Sequence, residues 1–223
     1  MRLILSLVLA LQSVPAIWAQ VSVGVQAGPV TSVLRQEVEL PSGPIALDAD
    51  AFTGYHFGIP VHVSLGERWI LGAGAHYLTL GERRVLSLAN GDPAESTTTY
   101  RTIEAPVTLG YRLPLGGVSL AGVSLAGRLG PAVQFTHAYR SRVTGSGGTE
   151  SQHVQLLRDE LRRFSLHATA AVEVAAGLPF GEAYLEVRAR QQLSDLAEPE
   201  AATWRFQAIA PALGLRMSIG GAS

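Results

Sequence analysis

The chain has 223 residues, a formal net charge of -1, no cysteine, and 17 basic residues that are all arginine. Without cysteine there is no disulfide, thiolate metal centre or lipidated N-terminal cysteine, and a near-neutral balance offers no basic patch for nucleic acid. Arginine to the exclusion of lysine suits buried ion pairs, because its planar guanidinium holds a carboxylate bidentately and is weakly hydrated.

Met1 and Arg2 lead into an apolar run from Leu3 to Leu11 and a small-residue stretch ending at Ala19. That is the layout of a secretory signal peptide over residues 1–19, cleaved after Ala19 or, alternatively, after Ala16. Its apolar run is too short to cross a bilayer as a helix. The folded product is expected to be one domain over 20–223. No later run approaches the roughly 18 apolar residues of a membrane helix, so any membrane span must be built from strands closed into a barrel.

Val21 to Leu34 supplies a first strand. From Phe52 the sequence alternates with period two, Tyr55, Phe57, Ile59, Val61 and Val63 on one face and His56, Gly58, Pro60, His62 and Ser64 on the other. A turn at Leu65 to Arg68 leads to a second such run, with Trp69, Leu71, Ala73, Ala75 and Tyr77 against Gly72, Gly74 and His76, and the two make a hairpin. From Ile103, Ala105, Val107, Leu109, Tyr111 and Leu113 alternate with Glu104, Pro106, Thr108, Gly110 and Arg112. The next strand sets Leu125, Leu129, Val133 and Phe135 against Ala126, Arg128, Gly130, Ala132 and Gln134. The one after sets Leu166, Ala168, Ala170, Val172, Val174 and Leu178 against His167, Thr169, Glu173 and Gly177. Leu185, Val187 and Ala189 then oppose Glu186, Arg188 and Arg190. Last, in Trp204 to Ile219, Ile209, Leu213, Leu215 and Met217 oppose Ala210, Gly214 and Arg216. The strands number eight.

Short turns at Leu65 to Arg68, Leu113 to Val118 and Leu178 to Ala183 alternate with expected long polar loops near 35–51, 81–100, 138–163 and 192–203. This alternation is the layout of an outer-membrane barrel. The repeat GVSLA-GVSLA, Gly117 to Ala126, has an odd period that flips strand faces, so it reads as a duplication near a turn. Gln152 to Phe164 reads as extended loop or strand rim, or as a short amphipathic helix.

A soluble sandwich also alternates, and there the polar face would meet water. This polar face holds glycine, histidine, glutamate and arginine, the filling of a narrow barrel interior. Trp69 and Tyr77, eight residues apart on the other face, have the spacing of two aromatic girdles, for which Tyr111 and Phe57 are further candidates. The fold expected is therefore all-β, an eight-stranded antiparallel up-and-down transmembrane barrel with short periplasmic turns and long extracellular loops.

Charges inside a narrow barrel must be paired. The interior ion-pair candidates are Glu104, Arg128, Glu173, Arg188, Glu186, Arg190, Arg112 and Arg216, with tight turns near Gly116 and Gly181 setting Glu104 opposite Arg128 and Glu173 opposite Arg188. His56, His62, His76 and His167 share the inward parity, and His56 opposite His76 forms a weak polar cluster that lacks the third ligand of a metal site. His137, Ser141 and Glu150 around the third loop carry no recognisable catalytic spacing. No catalytic, metal or cofactor residue is assigned.

The succession GIPVHVSLGERWILGAGAHY, IEAPVTLGYRLPLG, GRLGPAVQF and AYLEVRARQQLSDL resembles the PorT-like outer-membrane β-barrel domain family, a barrel of OmpA or OmpX size. An E-x-P-x-x-x-x-Y-R strand, Glu104 to Arg112, and a late L-E-x-R strand, Leu185 to Arg188, carry the likeness. The resemblance implies the cell outer membrane, no enzymatic activity and no cofactor. It implies as partners outer-membrane lipid, the barrel insertion machinery, and an unidentified surface or periplasmic protein. The chain departs from the pattern by ending without the terminal aromatic that the insertion machinery reads. The role expected is structural or surface interaction around an ion-paired interior. Alternatives are a narrow porin-like channel, a lipid-modifying outer-membrane enzyme and a soluble exported lipocalin-like binder.

Overall fold

The computed structural model describes residues 20–40, 43–87, 92–115, 122–145, 148–152, 163–195 and 202–219. The expected leader, the first copy of the GVSLA repeat and most of the Gln152 to Phe164 stretch lie outside these residues.

Ten strands are described in chain order: β1 (Gln20–Leu40), β2 (Gly43–Asp48), β3 (Phe52–Leu65), β4 (Trp69–Ser87), β5 (Pro93–Pro114), β6 (Val123–Gly145), β7 (Gly148–Gln152), β8 (Phe164–Leu178), β9 (Gly181–Gln192) and β10 (Ala202–Ile219). Eight of them pair antiparallel in the order β1, β3, β4, β5, β6, β8, β9, β10. The ring closes where β10 returns to β1, with Val21 opposite Ile219 and Thr31 opposite Ile209. Closure leaves the barrel wall without a free edge, as a span through lipid requires. β2 and β7 stand outside the ring, pairing with the far ends of β1 and β6.

The alternation of the sequence becomes the two faces of this wall. Tyr55, Phe57, Ile59, Trp69, Leu71, Ile103, Val107, Leu109, Leu129, Val172, Leu185 and Leu213 are exposed on the outside, while the histidines, arginines and glutamates between them are buried. An apolar exterior around a charged interior inverts a soluble protein and suits hydrocarbon. Two aromatic clusters bound the belt: Trp69 meets Tyr111 edge to face at 5.3 Å near the short turn, and Tyr77 stacks on Phe57 at 5.2 Å and on Tyr55 at 6.2 Å eight residues further along.

At the short-turn end Gly66 has a φ of 71°, a left-handed conformation that glycine adopts at little cost. At the other end the structure corrects the expected connections. β5 and β6 run for 22 and 23 residues, about twice what a membrane span needs, so much of 81–100 and 138–163 is ladder rather than loop. Val85 pairs with Glu95 and Val143 with Glu150, well beyond the aromatic cluster. The stretch 35–51 is likewise largely strand, in β1 and β2. Polar residues on both faces hid this, because a strand standing in water needs no apolar side, whereas the β-branched run Thr97 to Thr99 favours it.

A β-bulge marks the change of environment. Thr102 pairs with Thr136 but Arg101 pairs with Ala138, so His137 is an extra residue on β6. The insertion reverses facing beyond that point, directing Tyr139 inward, where it stacks on Tyr100 at 6.2 Å.

Candidate functional site: the filled lumen

Inward positions of β5, β6, β8, β9 and β10 bring five arginines and four glutamates into one alternating chain. Starting at the short-turn end, Arg112 contacts Glu182 (3.3 Å), Glu182 contacts Arg216 (2.5 Å), Arg216 contacts Glu173 (2.7 Å) and Glu173 contacts Arg128 (3.0 Å). Arg128 then pairs with Glu186, Glu186 with Arg188 (2.7 Å), Arg188 with Glu104 (3.9 Å), and Glu104 with Arg190. Each interior link has opposite charge on both sides, the arrangement that offsets desolvation of buried ions. Neutral groups complete it. Tyr184 donates to Gln26 (3.0 Å), Arg190 donates to Gln134 (2.7 Å), and the His62 ring stands between Arg128 (2.5 Å) and Arg216 (3.1 Å).

All eight residues expected as interior ion-pair candidates stand in this chain, but two expected pairings are corrected. Glu104 lies opposite Gln134, and Arg128 lies opposite Gly110, because the β5 to β6 connection is centred three residues later than a tight turn at Gly116. Glu173 lies opposite Glu186 rather than Arg188, because β8 and β9 are joined through Pro179 and Phe180. Arginine side chains reach across the lumen, so neither pair is a simple cross-strand neighbour.

The histidine pairing is corrected too. His76 faces Gly58, and His56 faces Leu78 two residues away. The His76 ring occupies the space into which a Cβ on residue 58 would project, which explains the glycine. Among the described residues no three His, Asp or Glu side chains are placed to hold a metal ion. His137 points outward and packs its ring against Tyr77 at 5.9 Å, whereas Ser141 lies beside Thr98 at 3.5 Å. These two are not assembled as catalytic partners, and the Glu150 backbone pairs with Val143.

Beyond Arg190 the lumen changes character. Val30, Leu34, Leu78, Leu80, Tyr100, Phe206 and Ala208 form a buried apolar cluster against which Tyr139 packs, and Phe206 meets Tyr100 edge to face at 5.2 Å. The sequence reading expected a polar interior throughout and missed this cluster. A signal was present in Leu78 and Leu80, which continue the inward parity of His76. Glu182 was missed as well, although it shares the parity of Glu186. The filling leaves little space: the void among His62, His76 and Arg128 has about 10 Å³, scarcely the room of one water.

Past the apolar cluster, outside the belt, Glu82 is buried on the inner face of β4 and paired with Arg84 at 2.8 Å. Burial raises its carboxyl pKa above the ordinary value, and Arg84 only partly opposes the shift.

No family model matches the chain, so the PorT-like resemblance gains no support, and no curated protein matches it. Among solved structures the chain is similar to Ail, the attachment invasion locus protein of Yersinia pestis, at a TM-score of 0.38 and 13% identity over 88% of this chain and 98% of that one. It is similar to Neisserial surface protein A at 0.42 and 12% over 86% and 96%. It is also similar to the outer membrane protease OmpT from Escherichia coli at 0.40 and 10% over 90% and 97%. The chain's own hydrogen-bond ladder, rather than these low scores, establishes the closed eight-stranded ring.

Proposed function

We propose that the chain is an outer-membrane barrel without catalytic or conducting activity, whose role is structural or lies in surface interaction through the long strands and connections of one rim. The short turns then face the periplasm and the extended rim faces outward. The observation that carries this reading is the doubly closed lumen, a continuous Arg and Glu chain below a packed apolar cluster. Water-filled porins leave such a lumen open; eight strands enclose only enough space for side chains.

Reconstitution into a planar bilayer tests it. The wild-type protein is expected to give no steady single-channel steps, and neither Glu104→Ala nor Arg128→Ala alone opens a path, since the apolar cluster remains. Regular steps from wild-type protein, altered by either substitution, contradict the proposal and establish the narrow channel instead.

A further inference from the structure

Above the belt, the outward faces of β5 and β6 carry a run of unmatched positive charge. Tyr77 on β4, Ile103 on β5, Phe135 on β6 and Phe164 on β8 lie in one register row, and the two phenylalanine rings meet at 5.0 Å. This apolar row ends the belt on that side. The outward-facing rows beyond it hold Arg101 opposite Ala138, then Thr99 opposite Arg140, then Thr97 opposite Arg142. From the row of Arg101 to that of Arg142 the sheet climbs about 13 Å, at roughly 3.3 Å per residue.

Arg101 and Arg140 are cross-strand diagonals, and Arg140 and Arg142 are next neighbours on one face, a placement in which like charges repel. None of the three has an ion pair among the described residues, and the Nε of Arg140 is buried without a hydrogen-bond partner there. Glu95 lies one row beyond Arg142, but Arg83 holds it at 2.9 Å. Elsewhere on the outward rim arginines are matched: Arg83 also faces Asp50, Arg205 meets Asp195 at 3.0 Å, and Arg35 lies opposite Asp48 on β2. The stretch 153–162 brings two arginines with its two carboxylates and so cancels none of the excess. From the belt outward the order is an apolar row, a first cation, then threonine hydroxyls beside two more cations. Acyl chains capped by a sugar headgroup with several phosphates present the same order. A glycerophospholipid with one phosphate cannot meet guanidinium groups spread over about 13 Å, whereas each arginine fork suits a phosphate of its own.

We propose that this face binds a phosphorylated glycolipid of the outer leaflet, of lipid A chemistry, with its acyl chains against the row from Tyr77 to Phe164 and its phosphates on Arg101, Arg140 and Arg142. The inference rests on the membrane-barrel reading above, with the extended rim outward. Protein extracted from membranes, exchanged into mild detergent and stripped of lipid would be titrated with bisphosphorylated lipid A, its monophosphorylated form and dimyristoyl phosphatidylglycerol, with retained lipid counted by native mass spectrometry. The bisphosphorylated form is expected to be held about fivefold more tightly than the monophosphorylated one, because its second phosphate engages a further arginine. Arg101→Gln/Arg140→Gln/Arg142→Gln should abolish that preference, and Arg142→Gln alone should weaken it. Arg205→Gln, at an arginine already paired, should keep it. Equal retention of the two lipid A forms by wild type, or a preference that survives the triple substitution, overturns the proposal. So does phosphatidylglycerol held as tightly as bisphosphorylated lipid A, or equal binding of the deacylated phosphorylated saccharide, which would mark a site for soluble polyanions. Unboiled gel mobility of each variant separates the two readings: a compact band with no lipid preference sinks only the lipid site, whereas loss of the compact band in the wild type sinks the barrel.

Discussion

Arg128 is the residue on which the lumen turns, because among the described residues it alone joins Glu173 to Glu186, and it also meets His62. Arg128→Ala would leave two carboxylates short of a partner inside the barrel. Removing one member of a buried ion pair costs about 3–5 kcal/mol. The variant is therefore expected to unfold at a clearly lower temperature in detergent, while Arg205→Ala on the exposed rim changes the transition little. Glu82 gives a pH-dependent counterpart. Its folded pKa is raised by burial, so its stabilising contribution is present below the unfolded value of about 4.5 and is lost as pH rises through the folded value. Glu82→Gln should raise the unfolding temperature at neutral pH relative to wild type, with the advantage disappearing at acid pH. Which side chains enter the lumen was legible from parity alone, since one step along a strand exchanges faces. Which cation meets which anion was not, because an arginine spans several register steps and two connections were centred differently from a tight turn.

At the scale of the element, strand existence and facing were readable wherever one face meets lipid, as in β3, β4, β8 and β9. Legibility failed beyond the belt. There both faces are polar, and the extensions of β4, β5 and β6 looked like loop. The bulge at His137 left no composition signal, although it decides the facing of Tyr139. Deleting His137 removes the bulge but leaves Ala138 opposite Arg101 and Tyr139 opposite Tyr100, so the inward stacking pair is kept and the contact of His137 with Tyr77 is lost. The deletion should leave both belt and rim folded, read as proteolytic trimming of the rim at the wild-type rate with an unchanged barrel core on gels. Faster trimming would mean that the bulge itself sets the packing above it.

Taken as a whole molecule, the barrel has a low-dielectric belt outside, a charge ladder inside its short-turn half, and an apolar closure above. Each part explains a feature of composition: arginine without lysine for the ladder, glycine and alanine where large inward side chains cross, and aliphatic residues at every other position for lipid. Closure itself was invisible in the sequence, since the pairing of β1 with β10 joins residues nearly 200 positions apart and leaves no local pattern. That pairing is the central claim. The most direct test is gel mobility of protein from purified outer membranes, run boiled and unboiled in detergent. A closed barrel should migrate as a compact band until heated and then shift to its full apparent mass, in the membrane fraction. Recovery as a soluble exported protein, with identical mobility before and after boiling, would contradict the account.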